Sequence, residues 1–599
     1  MIRLADYVIS FLESQGVHDI FLVTGGGALF LDDAVGLNKN INYYCCHHEQ
    51  AVAMATEAYA RVKGDLGVSL VTTGPGGTNT ITGVCGSWSD SVPHLIISGQ
   101  VFLTQTIRHT GVRQLGVQEI NIIDIVKPVT KYAVMIEDAK TIKYHLQKAI
   151  HLAKTGRPGP VWVDIPANIQ NAKIHEHELT EFDPAELSVH YDTDVQQKVA
   201  QVVSHLITAK RPLLHAGQGI KIAGVVNDFM QLVEKYRLPF VTARNANDMV
   251  ATDHELFVGR PGTFAQRGAN FAVQNADFYL AIGTRLSLPQ TGYNSKDYAR
   301  NAWRVMVDID TTELNKDTLN LHLKIHTDAK IFIQELRRQL NALSTVITNE
   351  MWVQQCQQWK KKYPVVLPEY KHQQGSVNSY YFIEVLSDLL TPDDVIVTDM
   401  GLAFQSTHQG FKVKLGQKLF TNSGFASMGW GLPAAVGACI AHDKKRTICL
   451  AGDGGFQMNL QEMATIMHHQ FPIKTFVYNN QGYLIQKQSF QLAFGRVVGS
   501  DYETGLSFPD LQKIADAYHM KYVKIEDHSQ LKELVREALE HPGPVLCEVI
   551  MDPNQLQIPK SQQRKKNDGT NELPPFEDLY PFLDSQELKE NMITERENK

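Results

Sequence analysis

The sequence contains no long apolar stretch: none of its hydrophobic runs approaches the roughly 20 residues a membrane-spanning helix requires. Cysteine is sparse and unpatterned. The seven, at positions 45, 46, 85, 356, 439, 449 and 547, form no CxxC or CxxxC couple. They are expected as reduced, mostly buried thiols of a cytoplasmic protein. An excess of positive charge is missing too. Lys and Arg number 57 against 64 Asp and Glu, a formal net charge of −7, so no nucleic-acid partner is expected. The first residues lack a secretory signal's uncharged run, since Arg3 and Asp6 interrupt it, and Leu4, Val8 and Leu12 recur at helical spacing. Short solenoid-type repeats are absent.

What is present is ordinary for a soluble globular protein: 599 residues, 43% hydrophobic and 20% charged. That length predicts about three or four domains. Three segments share one pattern, a β-branched run, a Gly-containing turn and then an amphipathic or small-residue helix. The pattern predicts an α/β protein of three doubly wound parallel-sheet domains. They are placed at 1–172, 190–345 and 370–552, followed by a tail at 553–599. Strands are expected near 20–23, 41–44, 68–72 and 95–98, and then near 212–215, 240–242, 278–282 and 305–307. Residues 175–194 read as an acidic linker and 341–378 as a polar connector. The tail reads as a surface extension whose last stretch is disordered.

The most informative segment is Gly452-Asp453-Gly454-Gly455, which ends a strand beginning at Thr447. Leu460, Met463, Ala464 and Met467 then form a helical stripe, and a second strand from Ile473 ends in Asn479-Asn480. In such a strand–helix–strand unit the two strands run parallel, so Asp453 and Asn480 meet at one sheet edge, where open α/β sheets bind ligands. A carboxylate and an amide carbonyl are hard oxygen donors suited to Mg²⁺. The glycines leave room for a diphosphate against backbone N–H groups. A lone Gly-Asp-Gly would read as a turn with a capping Asp; the paired Asn-Asn makes the signal specific.

This segment resembles the diphosphate-binding motif of thiamine-diphosphate enzymes. The resemblance implies that Asp453, Asn480 and the backbone of Gly482 hold Mg²⁺. Gly25, Gly401, Leu402, Ala403, Phe404, Gln405, Gly452, Gly454, Gly455, Tyr483 and Leu484 would then line the cofactor. It also implies that Glu49, which opens a small-residue helix after His47-His48, is the acid that protonates the cofactor's aminopyrimidine ring. Taken alone, Glu49 is an acid favoured by a helix N-terminus. Met428, in Asn422-Ser-Gly-Phe-Ala-Ser-Met428-Gly-Trp-Gly-Leu-Pro433, takes the place of the apolar wedge between the two rings, although a core Met is the plainer reading. Sites shared between two chains, in a homodimer or homotetramer, are implied as well.

Within the family the likeness is to the large catalytic subunit of acetolactate synthase. It rests on His48-Glu49-Gln50, Gln118-Glu119, Gly156-Arg-Pro-Gly-Pro160 and Ser427–Pro433. It implies decarboxylation of pyruvate and transfer of the acetyl carbanion to an acceptor carbonyl, with Gln118 as a third catalytic candidate. That branch often holds FAD in its middle domain, and Arg157, Gly217, Gly259, Gly262, Gly283, Arg285, Asp308 and Asp328 stand where its contacts fall. The Gly217-Gln-Gly219 turn by itself fits any Rossmann-like unit. The chain departs from the branch at Val117, Ala167 and Ser489, where the synthases carry Phe, Lys and Trp along the acceptor channel. The stretch Gly482–Gln488 and the basic tail, Lys560 and Arg564–Lys566, are closer to enzymes that add an acetyl unit to a nucleotide-linked keto-sugar. Rival expectations are a cyclic-dione hydrolase, a pyruvate decarboxylase or oxidase, and a catalytically silent regulatory subunit.

Overall fold

A computed structural model describes residues 1–593 apart from 109, 188–189, 344–348 and 567. Three six-stranded sheets, parallel throughout, form its frame. The first uses Asp19–Leu22, Asn42–Cys45, Gly67–Val71, His94–Gln100, Tyr132–Met135 and Pro160–Pro166. With strands counted along the chain, their order is 2-1-3-4-6-5. The third sheet uses Val395–Thr398, Lys418–Phe420, Thr447–Gly452, Ile473–Asn479, Lys521–Ile525 and Val545–Ile550 in that same order. The middle sheet, with Pro212–Ala216, Phe240–Thr242, Phe257–Gly259, Phe278–Ile282, Trp303–Asp308 and Leu323–His326, has the order 3-2-1-4-5-6 of dinucleotide-binding folds. Helices cover both faces of such sheets, so the strands read as continuous apolar runs, as in the buried Ile448-Cys449-Leu450-Ala451.

The first and third domains meet through two small-residue helices, Glu49–Lys63 and Gly431–Ala441. Alanines on the first and Gly437 on the second let the backbones approach so closely that a Cβ at Gly437 would overlap the Ala55 carbonyl. Trp430, fully buried beside this contact, donates from Nε1 to Glu57 Oε2 at 2.9 Å.

The expected polar connector is instead partly a helix, Glu350–Lys362, packed on Arg267–Asn275 of the middle domain. Trp352, Val353, Cys356 and Trp359 are buried at i, i+1, i+4 and i+7 along one face. Trp352 Nε1 donates to the Pro212 carbonyl at 2.9 Å and Trp359 Nε1 to Asn591 Oδ1 at 2.8 Å. The tail is a strap between domains. Gln409 of the third domain donates to the Pro559 carbonyl at 2.7 Å, and Arg267 of the middle domain to the Leu579 carbonyl at 3.0 Å. Its basic residues are largely engaged: Arg564 pairs with Asp578 and lies over the Phe582 ring, and Lys566 pairs with Glu572. The stretch expected to be disordered falls in part on 594–599, outside the described residues.

Among the described residues the cysteines are free, with only Cys45 exposed, and no helix is long and apolar enough to cross a membrane.

Candidate active site

Thr447–Gly452 and Ile473–Asn479 are neighbours in the third sheet, with Gly452 paired to Tyr478, so their carboxyl ends sit side by side. Asp453 leaves the first strand as the opening residue of the short helix Asp453–Met458. Its Oδ1 accepts from Gly454 N at 2.7 Å and its Oδ2 from Gly482 N at 3.1 Å. Burial pushes this carboxyl up to about 7, against the backbone N–H groups of Gly454, Gly482, Gln481 and Asn480. Asn480 Oδ1 is buried there without a hydrogen-bond partner. Such an orphaned acceptor next to a desolvated carboxylate is costly unless a cation completes the set. The donors at this edge therefore fit a Mg²⁺ carrying phosphate oxygens and water.

Space above the carboxylate is kept by glycine. A Cβ at Gly454 would press into the Tyr483 ring and come within 3.1 Å of Met428 Cε, so Met428, Gly454 and Tyr483 converge on one cleft wall. Leu484 is buried behind them. Gly401, at φ +85°, turns the chain from Val395–Thr398 into the helix Leu402–Gly410. Leu402, Ala403, Phe404 and Gln405 are buried on that helix; the Phe404 ring lies under the Arg244 guanidinium, and Gln405 Oε1 has no partner.

Sequence reasoning missed Asp399. Fully buried, it accepts from Met400 N at 2.7 Å and, through Oδ2, from Gly429 N at 3.1 Å. Burial pushes it up to about 6 while backbone donors of Gly431 and Trp430 add to the set. It thus clamps the Met428 loop to the Gly401 turn, and a Cβ at Gly455 would strike it. Its position directly after a β-branched strand and before Met-Gly401 repeats the strand-end pattern of Asp453, which was the available signal.

In the first domain His48 caps the helix opened by Glu49, its Nδ1 accepting from Gln50 N at 3.0 Å. The Glu49 carboxylate accepts from Asn79 Nδ2 at 2.9 Å. From Ala51 to Ala60 the helix is buried, and Glu49 itself is half-buried. Residues on either side of it reach the third domain: His47 N donates to Glu462 Oε1 at 3.0 Å, and Asn459 Nδ2 donates to Gln50 Oε1 at 3.1 Å. Of the expected helical stripe, Met463, Ala464 and Met467 lie on the helix Glu462–His469 and Leu460 in the turn before it. Gly25 lies at the end of the first strand, held by Asp32 and pressed against Thr72. Gln118 is exposed with φ +64°, its carbonyl against Gly74, and Val117 is 85% exposed beside it.

A cavity of about 380 Å³ lies between the first and middle domains. Arg157, Gly283, Arg285, Asp308 and Asp328 are on its wall; Gly217, Gly259 and Gly262 are not. Gly217 serves packing, since a Cβ there would overlap the Gly283 carbonyl. Asp308 is pushed up to about 6 by burial, and Arg157 is bound to Asp310 at 2.8 Å and Glu313 at 3.0 Å.

Residues 2–124 match the thiamine pyrophosphate enzyme N-terminal TPP binding domain, 199–336 the central domain and 399–549 the C-terminal TPP binding domain. The acetolactate synthase large subunit of Lactococcus lactis is 32% identical over 92% of this chain and 93% of its own length. The chain belongs to the thiamine pyrophosphate enzymes. It carries both cofactor-binding domains of that family, and the two sheet edges described above fall within them. Further relatives are the acetolactate synthase large subunit of Cyanidium caldarium, 30% identical over 94% of this chain and 95% of that one, and the isozyme 2 large subunit of Escherichia coli, 30% identical over 92% and 95%.

Proposed function

We propose that this thiamine pyrophosphate enzyme is a Mg²⁺-dependent transferase of the acetolactate synthase type, which decarboxylates pyruvate and passes the acetyl unit to an acceptor carbonyl. The observation that carries the reading is the edge at Asp453, where a desolvated carboxylate, the orphaned Asn480 Oδ1 and the Gly482 backbone surround a place for a cation. The relatives' names supply the reaction class.

When bound, thiamine diphosphate supplies the thiazolium carbon that adds to the keto acid and accepts the electron pair left by CO₂. The chain's own residues do the rest. Asp453, Asn480 and the Gly482 carbonyl would hold the metal, and Gly452, Gly454 and Gly455 would admit the diphosphate to backbone donors. Met428, Tyr483 and Leu484 form an apolar wall that keeps water from the reacting carbon. Glu49, its carboxylate oriented by Asn79, would hold or give up the proton exchanged with the cofactor's pyrimidine. Its half-exposed position favours completion of the site by a second chain, in a cytoplasmic homodimer or a pair of dimers. The cavity at Arg157, Arg285 and Asp308 is the place for FAD in a structural role.

The acceptor is proposed to be a keto-sugar. Val117, Ala167 and Ser489 are smaller than their counterparts in the synthases, and Val117 and Ser489 are exposed, which widens the approach. Incubation with pyruvate and a panel of acceptors, including nucleotide-linked keto-sugars, followed by mass spectrometry of the products, tests this. An acetylated sugar supports the reading. Acetolactate formed from pyruvate alone, with sugars ignored, confines it to the synthase reaction; acetaldehyde or acetate alone points to a decarboxylase or oxidase. A cyclic dione consumed in preference points to the hydrolase, and no turnover with cofactor bound to a silent subunit.

A further inference from the structure

Apart from the two sites described, a second cavity of about 470 Å³ opens where all three domains meet. The end of the helix Glu49–Lys63 contributes Lys63, the first domain also brings Lys154, the middle domain Lys221, and the third domain Lys418. Arg61, on the same wall, is bound to Glu57 and Asp90, and against the four lysines the wall carries two carboxylates, Asp65 and Asp248. Both are committed. Asp65 binds Lys154 at 2.6 Å, and Asp248 binds Lys221 at 2.5 Å while also accepting from Leu419 N at 3.2 Å.

Lys63 and Lys418 have no salt bridge among the described residues, although Asp248 is near enough to act on Lys418. Lys418 Nζ reaches the Val62 carbonyl, and Lys63 Nζ stands 5.9 Å from the Tyr59 ring centroid. Burial holds the Lys418 ammonium below its ordinary range, and the charges of Lys221 and Lys63 add to it against an opposing pull from Asp248. Cations gathered from three separate domains around one cleft repel, and the assembly is relieved by a multiply charged anion. The volume lies within the range of small-molecule sites and exceeds what a bare ion needs.

We propose that this junction binds a phosphate-bearing small molecule, its dianion held by Lys63 and Lys418. Neither lysine lines the cavity at Arg157, although the site adjoins that cavity along a common wall of Ser91, Lys154, Pro158, Gln218, Ile222 and Asn245.

The test is calorimetric titration of the full-length protein at low ionic strength, saturated with thiamine diphosphate, Mg²⁺ and FAD so that their sites cannot take the probe. One arm uses inorganic phosphate and the other glucose 6-phosphate. Saturable binding in either arm is expected, the tighter arm identifying free phosphate or an ester as the source. Lys63→Glu, a change at an exposed position, is expected to weaken binding by about tenfold or more, equivalent to about 1.4 kcal/mol. Lys418→Met is expected to act in the same direction, and Asp65→Asn to tighten binding. Thiamine diphosphate affinity should be unchanged in Lys63→Glu and Asp65→Asn, so misfolding of the Lys418 variant leaves the test intact. Absence of saturable binding in both arms, or isotherms of Lys63→Glu and the unaltered protein that coincide, would overturn the proposal.

Discussion

Asp453 Oδ2 and the Gly482 N–H, 29 positions apart in sequence, are joined at 3.1 Å. The bond closes the gap between two neighbouring strand ends, where Asn480 Oδ1 is buried without a partner. The metal site proposed for the third domain rests on that short bridge.

One consequence is a pH dependence of metal binding. A cation needs the Asp453 carboxylate, yet burial holds its proton up to about 7. Below that pH a proton competes, and Mg²⁺-dependent cofactor affinity should fall by about tenfold per pH unit. The same shift makes the cofactor-free fold lose stability as pH rises from the ordinary value of 3.8 through about 7, because the folded chain retains a proton the unfolded chain has released. Thermal unfolding with and without Mg²⁺ and cofactor should diverge most above that range.

Glu49→Gln should preserve the fold and cofactor affinity, since the amide can still accept from Asn79. Turnover should drop by about 10²–10⁴-fold, the usual contribution of a positioned proton-transfer group. Steady-state pyruvate consumption checks this; near-normal activity removes Glu49 from the site.

Asp399→Ala removes the acceptor for Gly429 N and Met400 N in a buried place. Each orphaned donor costs about 1–3 kcal/mol, so urea unfolding should show a loss of several kcal/mol. Cofactor affinity should fall as well, because the Met428 loop is no longer tied to the Gly401 turn.

Gly437→Ala tests the contact between the first and third domains. The added methyl overlaps the Ala55 carbonyl, and the helix must shift at a cost of about 1–3 kcal/mol or more. Reduced stability and weakened cofactor binding together are expected, read from unfolding curves and calorimetry.

The three-domain α/β frame was legible because parallel strands, buried on both faces, announce themselves as short apolar runs before glycine. Phe240–Thr242 and Phe278–Ile282 were placed as found. Strands such as Tyr132–Met135 and Leu323–His326, partly exposed at sheet edges, lacked that signal. The helix Glu350–Lys362 was hidden by its Lys and Gln content, although Trp352, Cys356 and Trp359 mark its buried face. At the site, Asp453 and Asn480 were readable from one strand–helix–strand unit. Asp399 and the link from His47 to Glu462 depend on tertiary contacts between distant segments. The basic tail shows the limit of composition: the carboxylates that engage Arg564 and Lys566 are set by the strap's path.

The most direct test of the account is a titration of thiamine diphosphate with and without Mg²⁺, followed by calorimetry or circular dichroism, on the unaltered chain and on Asp453→Ala. Saturable, Mg²⁺-dependent binding that is lost in the variant is predicted. Equal affinity in both proteins, or binding indifferent to Mg²⁺, would contradict it.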